Sequence, residues 1–293
     1  MYAQIANLEF NPIPIPTYAY SPCNCVIFAM DDISDYGANK VQLATMDYFI
    51  SKNLSFTASI IVNQLANSSH LAVFHKVEEG VEKNLFEIAI HGYRHVDHSL
   101  LTKQEQEDDF SKANAKLQYL FGKRSDIFIP PFNKFNLHTI EAMVDLNITI
   151  FSTHPDAERA TINPYKSPTL ITTNNSRLEF SKVSDHQQPI YHVPFLVSFL
   201  RLEGEGVSED KIVEESMRLI DESIAKYGFA QVRLHPSDFD QVDVITGKPT
   251  NAVDYTRFQH LTKIVDMLAD RNIRIASFRD ISPPHSPEII LNN

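Results

Sequence analysis

The chain has only two cysteines, no block of basic residues and no apolar run of membrane-spanning length, and each shortage removes a class of protein. Two cysteines cannot build a disulfide framework, and a thiolate zinc site would need further ligands. Cys23 and Cys25 alternate on what reads as one strand, so buried or half-buried free thiols on one face are expected. No stretch approaches the roughly 20 apolar residues of a membrane helix, and no integral membrane segment is expected. With 26 basic against 37 acidic residues, a formal charge of -11, the chain is a poor match for a nucleic-acid backbone. The opening MYAQIANLEFNPIPIP lacks the basic and apolar regions of a signal peptide. Asn-x-Ser/Thr sequons at Asn53, Asn67, Asn147 and Asn174 nonetheless favour an extracellular or cell-surface protein over a cytoplasmic one. Oligomeric state is left open.

What is present is an ordinary globular composition, 43% hydrophobic and 22% charged over 293 residues, long enough for one α/β barrel. Residues 1–22, with Pro12, Pro14 and Pro16, read as an extended arm, 23–281 as the barrel, and 282–293 as a tail. The apolar run Val26–Met30 reads as a strand covered on both faces that delivers Asp31 and Asp32 at its carboxyl end. Helical spacing from Asn39 to Lys52, the strand LSFTASIIV and a helical stretch over 69–84 follow. FEIAI then stops at HGYRHVDHS, and TKQEQEDDFSKANAKLQYLFG makes a helix stopped by Gly122. Pro130 and Pro131 end the next strand and fix Phe132, Asn133 and Lys134 on a loop; a helix over 137–146 leads to ITIFST and His154. An irregular insertion over about 157–206, with β-like runs and no clear helix, is expected to wall a cleft. A helix through SEDKIVEESMRLIDESIAKYG, capped by Ser208 and ended by Gly228, the strand FAQVRL leading into His235, a helix over about 253–270 and the strand IRIAS close the domain. Alternating strands and helices predict a parallel sheet with covering helices.

Three strands therefore end in ionisable residues: Asp31 with Asp32, His91 with His95, and His235. In a parallel α/β barrel all carboxyl strand ends share one face, so these residues converge over one cleft. Two imidazoles four residues apart and one carboxylate oxygen suit a divalent cation.

In their order and spacing these motifs resemble the polysaccharide deacetylase family, carbohydrate esterase family 4, across roughly residues 25–280. The family's Thr-Phe-Asp-Asp-Gly is similar to Ala29, Met30, Asp31, Asp32, Ile33, and its His-Ser/Thr-x-x-His is matched by His91 and His95. Its Arg-Pro-Pro-Tyr/Phe-Gly is matched in part by Pro130, Pro131 and Phe132, and its late Leu-His by Leu234 and His235. The resemblance implies a distorted, incomplete (β/α) barrel with about seven parallel strands. It implies that Asp32, His91 and His95 bind a divalent metal, zinc first with cobalt or nickel as alternatives, that Asp31 is the general base and that His235 is the general acid. The implied reaction is removal of acetyl groups from N-acetylated sugars, an acetylated carbohydrate being the partner. A backbone N–H near Phe132 would help hold the oxyanion.

The chain departs from that pattern in four places. The motif arginine that orients the catalytic aspartate falls on Ile129, for which Arg94 or Lys134 are substitutes; Ile33 and Gly92 replace a glycine and a Ser/Thr; and there is no tryptophan for the family's groove motif. Sugar-stacking faces then fall to Tyr93, Phe132, Phe135 and Tyr191, with Pro131, Asn133, His154, Asp156 and His192 as further cleft-lining candidates. His98 is an alternative third imidazole whose register favours an outer-shell or surface role, and Asp238 either fixes the tautomer of His235 or caps a loop. A non-catalytic carbohydrate-binding protein is the rival reading; a two-metal hydrolase is disfavoured, since the chain has no His-x-His pair.

Overall fold

The computed structural model describes residues 23–67, 69–154, 170–172, 178–180 and 190–281. The arm over 1–22, the tail over 282–293, Asp156 and most of the 157–189 stretch lie outside the described residues. The alternation is β1 (Cys25–Ile33), α1 (Asn39–Ser51), β2 (Phe56–Ile60), α2 (Ala72–Glu82), β3 (Phe86–Ile90), α3 (Lys103–Phe121), β4 (Ile127–Phe128), α4 (Leu137–Asp145) and β5 (Ile150–Phe151). Short strands β6 (Leu170–Thr172), β7 (Leu178–Phe180), β8 (Ile190–His192) and β9 (Val197–Ser198) come next. The chain then runs through α5 (Phe199–Gly204), α6 (Ile212–Tyr227), β10 (Phe229–Leu234), β11 (Asp240–Val242), β12 (Pro249–Val253), α7 (Tyr255–Asp270), β13 (Arg274–Ala276) and α8 (Phe278–Ile281).

The main sheet runs β6-β7-β8-β5-β4-β3-β2-β1-β10-β9, with β13 also on β1. From β8 through β9 every pairing is parallel, and the antiparallel pairings of this sheet are β6 with β7 and β7 with β8. The sheet curls into a half-barrel whose strand alternation makes two cores. Val26, Phe28 and Met30 of β1, Ile88 and Ile90 of β3 and Val232 of β10 pack outward against helix residues such as Phe49, Phe110, Leu117, Ile220 and Leu261. Cys25, Ile27 and Ala29, with Ala89, Ile129, Phe229 and Phe278, pack inside the curl. Each fully buried Phe or Ile contributes about 1.5–3 kcal/mol over an exposed one, so the outer layer carries most of the stability.

Three local expectations are corrected. Cys23 and Cys25 are joined in a disulfide with their Cα atoms 5.2 Å apart, because Asn24 takes a left-handed φ of 46° and turns Cys23 back before the strand begins. The irregular region contains a helix, α5, where only β-like runs are expected. Ser208 makes no side-chain cap; a 3-10 turn, Glu209–Lys211, leads into α6 instead, and Gly228 ends it as expected at φ 75°.

Candidate metal centre and active site

Strict alternation would send Asp31 and Asp32 to opposite faces of the sheet. β1 breaks it. Its register against β2 shifts between Met30 and Ile33, and Asp32 sits at φ 61°, a left-handed conformation that costs a non-glycine residue on the order of 1 kcal/mol. Asp31 stays buried inside the curl while Asp32 turns up to the carboxyl-end rim, half exposed.

His91 follows β3 on the inner face. Its Nδ1 lies 2.7 Å from the Ile129 carbonyl, which can only accept, so Nδ1 carries the proton and Nε2 presents a lone pair. That Nε2 is 3.4 Å from Asp32 Oδ1, and His95 Nε2 is 3.1 Å from the same oxygen. The three ligand atoms lie within 4.8 Å of one another. Asp32 Oδ1 is buried and accepts no hydrogen bond, so a carboxylate oxygen faces a lone pair with nothing between them to relieve the repulsion. A proton or a cation fits there, and two imidazoles with one carboxylate suit zinc-like ions. Burial alone would raise the Asp32 carboxyl, but the imidazoles of His91 and His95, in their charged form, hold it well below the usual range. Burial pulls the His91 imidazole down; the charges of Asp31 and Asp32 outweigh it and raise the group.

The loop between the two histidines has only one residue that fits its turn. Gly92 has φ 77°, and a Cβ there would stand 2.4 Å from the Arg94 carbonyl oxygen, which explains glycine in place of Ser/Thr. Asp109 of α3 supplies the brace: its carboxylate accepts from the Tyr93 N–H at 2.6 Å and the Arg94 N–H at 3.4 Å. His98 is neither ligand nor surface residue; it is fully buried, its ring against Phe110 and Phe128 and its Nε2 3.5 Å from Asp109 Oδ2.

Across the cleft, β10 turns Phe229, Gln231 and Arg233 inward. Arg233 is buried, pairs in register with the small Ala29, donates through Nη1 to Asp31 Oδ2 at 2.8 Å and through Nη2 to Ser152 Oγ at 2.7 Å. The Phe195 ring covers the guanidinium at 4.3 Å. Neither substitute expected from the sequence reaches Asp31: Arg94 lies 3.9 Å from Asp109, and Lys134 pairs with Asp97 at 3.1 Å. His235 Nε2 is 3.7 Å from Asp31 Oδ2, and its Nδ1 is buried without a hydrogen-bond partner among the described residues. Asp238 accepts from the His235 backbone N–H at 2.6 Å, so of its two expected roles the structure gives it the loop cap and leaves the imidazole alone. Burial pushes the Asp238 carboxyl up to about 6.

Of the cleft-lining candidates, Phe132 stands exposed with its ring 4.4 Å from His95, at φ 57°, and Asn133 follows at φ 58°; Pro131 is buried beneath them. Asn133 Oδ1 accepts from the His154 N–H at 2.9 Å. Both line a cavity of about 510 Å³ with Phe195, Ser198, Leu200, Arg201 and Glu205, so the end of the irregular region does form a wall there. Tyr93 packs its half-buried ring against the outer core. Phe135 is buried in that core, and His192 is fully buried with Nε2 2.8 Å from Thr153 Oγ1, so both sit in the packed layers. Sequence reasoning missed Arg233, Ser152, Phe195 and Asp109. Arg233 alone left a signal, a charge inside an apolar strand two residues before His235 and therefore on its face.

These features define a half-barrel α/β protein with a three-ligand centre at its carboxyl strand ends. The polysaccharide deacetylase family model matches residues 20–151. No curated protein matches. Among solved structures, the chain is similar to a polysaccharide deacetylase from Mycobacterium smegmatis described as putative, with TM-score 0.60, 14% identity and 93% and 92% of the two chains covered. A peptidoglycan N-acetylglucosamine deacetylase aligns with TM-score 0.55, 15% identity and 89% of each chain covered. A wild-type CE4 family pseudoenzyme from Bacillus anthracis aligns with TM-score 0.54, 12% identity, 88% of this chain and 65% of that one. At such identities the structural likeness speaks for the fold. With the matched motif region, it makes the chain similar to the polysaccharide deacetylase family over residues 20–151.

Proposed function

We propose that this protein is a metal-dependent hydrolase that removes acetyl groups from N-acetylated sugars. The observation that carries the reading is the convergence of Asp32, His91 and His95 beside a buried Asp31 that lies 3.7 Å from His235. A divalent cation held by Asp32, His91 and His95, zinc first, would lower the pKa of water and polarise the acetamido carbonyl. Asp31, held off the centre by Arg233, accepts the proton that the water loses. His235 protonates the departing amine, a step amide hydrolysis needs because nitrogen is a poor leaving group. The Phe132 N–H is the donor assigned to the oxyanion, and the Phe132 ring offers a sugar-stacking face beside His95.

The rival is a carbohydrate-binding protein without turnover. It is favoured by Ile129 at the motif arginine's position and by the pseudoenzyme among the structural relatives. Against it stands the retention of Asp31 and His235, which holding a metal or a sugar would not require. The test is acetate release from N-acetylglucosamine oligomers and O-acetylated glycans by metal-stripped protein, then with zinc, cobalt or nickel. Metal-dependent release is expected, cut about 10²–10⁴-fold in kcat by Asp31→Asn and by His235→Ala. Stoichiometric metal and glycan binding with no release would establish the rival.

A further inference from the structure

We propose that Arg233 is the positioning residue of the site, a guanidinium on β10 that fixes the Asp31 carboxylate for its work as base and keeps it from turning onto the metal centre. This rests on the deacetylase reading for its consequence in turnover, and on geometry alone for the positioning. Arg233 and Asp31 are both buried, bonded at 2.8 Å, and among the described residues no other arginine or lysine pairs with that carboxylate. The guanidinium cannot swing: Ser152 Oγ holds its second nitrogen at 2.7 Å, the Phe195 ring covers it at 4.3 Å, and Ser152 is in turn bonded to Gln231 at 2.7 Å. A planar two-pronged donor locked on three sides fixes the position of the carboxylate it holds. Asp31 is the chain neighbour of Asp32, and its Oδ2 lies 3.7 Å from His235 Nε2, so a released carboxylate would have both that imidazole and the candidate metal site within reach.

Stability is a weak reason for such a pair. Buried ion pairs are commonly replaced by apolar residues of similar volume at no loss, because desolvation offsets the attraction. Ile27, Ala29 and Ile129 of the inner layer show that apolar packing is available on that face. The charge pair therefore points to the site above it. Arg233 also answers the vacancy at Ile129: the cation reaches Asp31 from a neighbouring strand, and the inner face of β4 is left to packing.

The experiment compares wild type, Arg233→Met, Arg233→Met/Ile129→Arg, Arg233→Met/Asp31→Asn and Arg233→Lys. Two quantities are read: kcat and KM for acetate release with zinc, and the visible spectrum of the cobalt-loaded protein. Arg233→Met should lower kcat about 10²-fold with KM nearly unchanged, since Arg233 touches the base and not the sugar. Its cobalt spectrum should move towards higher coordination as Asp31 joins the centre, and Asp31→Asn in the same background should return it. An arginine at position 129 should recover part of kcat. Wild-type kcat and an unmoved spectrum in Arg233→Met would overturn the positioning role and leave the deacetylase reading standing. If wild type releases no acetate, the deacetylase reading fails and the spectrum alone decides: a shift cancelled by Asp31→Asn supports positioning, and no shift overturns it. Should Arg233→Met not fold, Arg233→Lys, which keeps the charge without the fork, is expected to lose about tenfold in kcat and to shift the spectrum. No change in either quantity would overturn the proposal.

Discussion

Asp31 and Asp32 are neighbours in the chain and strangers in their surroundings. One is locked to a buried guanidinium inside the curl; the other, turned by a left-handed backbone, faces two imidazoles at the rim. That division lets two identical side chains take different chemical parts, because environment and not residue type sets what a carboxylate does. The same strain appears at Gly92, where the turn between the histidines leaves no room for a side chain. Gly92→Ala should lower stability by roughly 2–3 kcal/mol, from an unfavourable φ and a 2.4 Å approach to a backbone oxygen that cannot yield cheaply. Because His91 and His95 flank the turn, zinc affinity should fall with it, about 10–100-fold. Thermal melts followed by circular dichroism and a zinc titration check the pair of effects; lost stability with intact affinity would mean that the loop does not set the ligand geometry.

Among the elements, α3 shows how a helix far from the chemistry still shapes it. Thr102 and Glu105 form a capping box at its start, and Gly122 stops it at φ 67°. Between them Asp109 reaches down to hold the histidine loop. Thr102→Ala should cost about 1 kcal/mol in urea unfolding and leave any zinc affinity of the folded protein unchanged, since the cap secures the helix end and Asp109 lies two turns on. The helix and its stop glycine were legible in the sequence, as were the strand ends carrying Asp31, Asp32, His91, His95 and His235; the capping box was not read there. Local chemistry writes such signals into adjacent residues. Asp109, Ser152 and Phe195 were not legible, because what each does depends on a partner more than a dozen residues away. Arg233 was half legible: its parity with His235 put it on the inner face, but only the register of β10 against β1, with Ala29 opposite, shows that it meets Asp31. The disulfide was missed because the strand pattern was extended two residues too far, across Asn24 to Cys23.

In the whole molecule the half-barrel carries charge at both ends of its inner face. On β3 the row Glu87, Ala89, His91 runs from the amino-end face, through the inner core, to the candidate metal site. The carboxyl end is where such folds do chemistry, and the amino end is where they are held together. Glu87 fits that division: buried, it accepts from the Phe278 N–H at 2.8 Å and the Arg279 N–H at 3.3 Å, tying down α8, whose Phe278 and Ile281 close the inner core. Burial pushes its carboxyl from 4.5 up to about 7, more than those N–H groups and the Arg279 charge pull it back. The folded state therefore binds more protons than the unfolded chain between those two values, so the stability from Glu87 is full below about pH 4.5 and is lost as pH rises to 7. The loss is about 3 kcal/mol over the window. Glu87→Gln, neutral at every pH, removes that slope: at pH 5, where Glu87 is itself neutral, it should match wild type, and by pH 8 it should melt several degrees higher. With no tryptophan in the chain, circular dichroism is the signal to follow. Parallel melting curves across pH 5, 6.5 and 8 would show that Glu87 is ionised throughout and that its two N–H donors outweigh its burial.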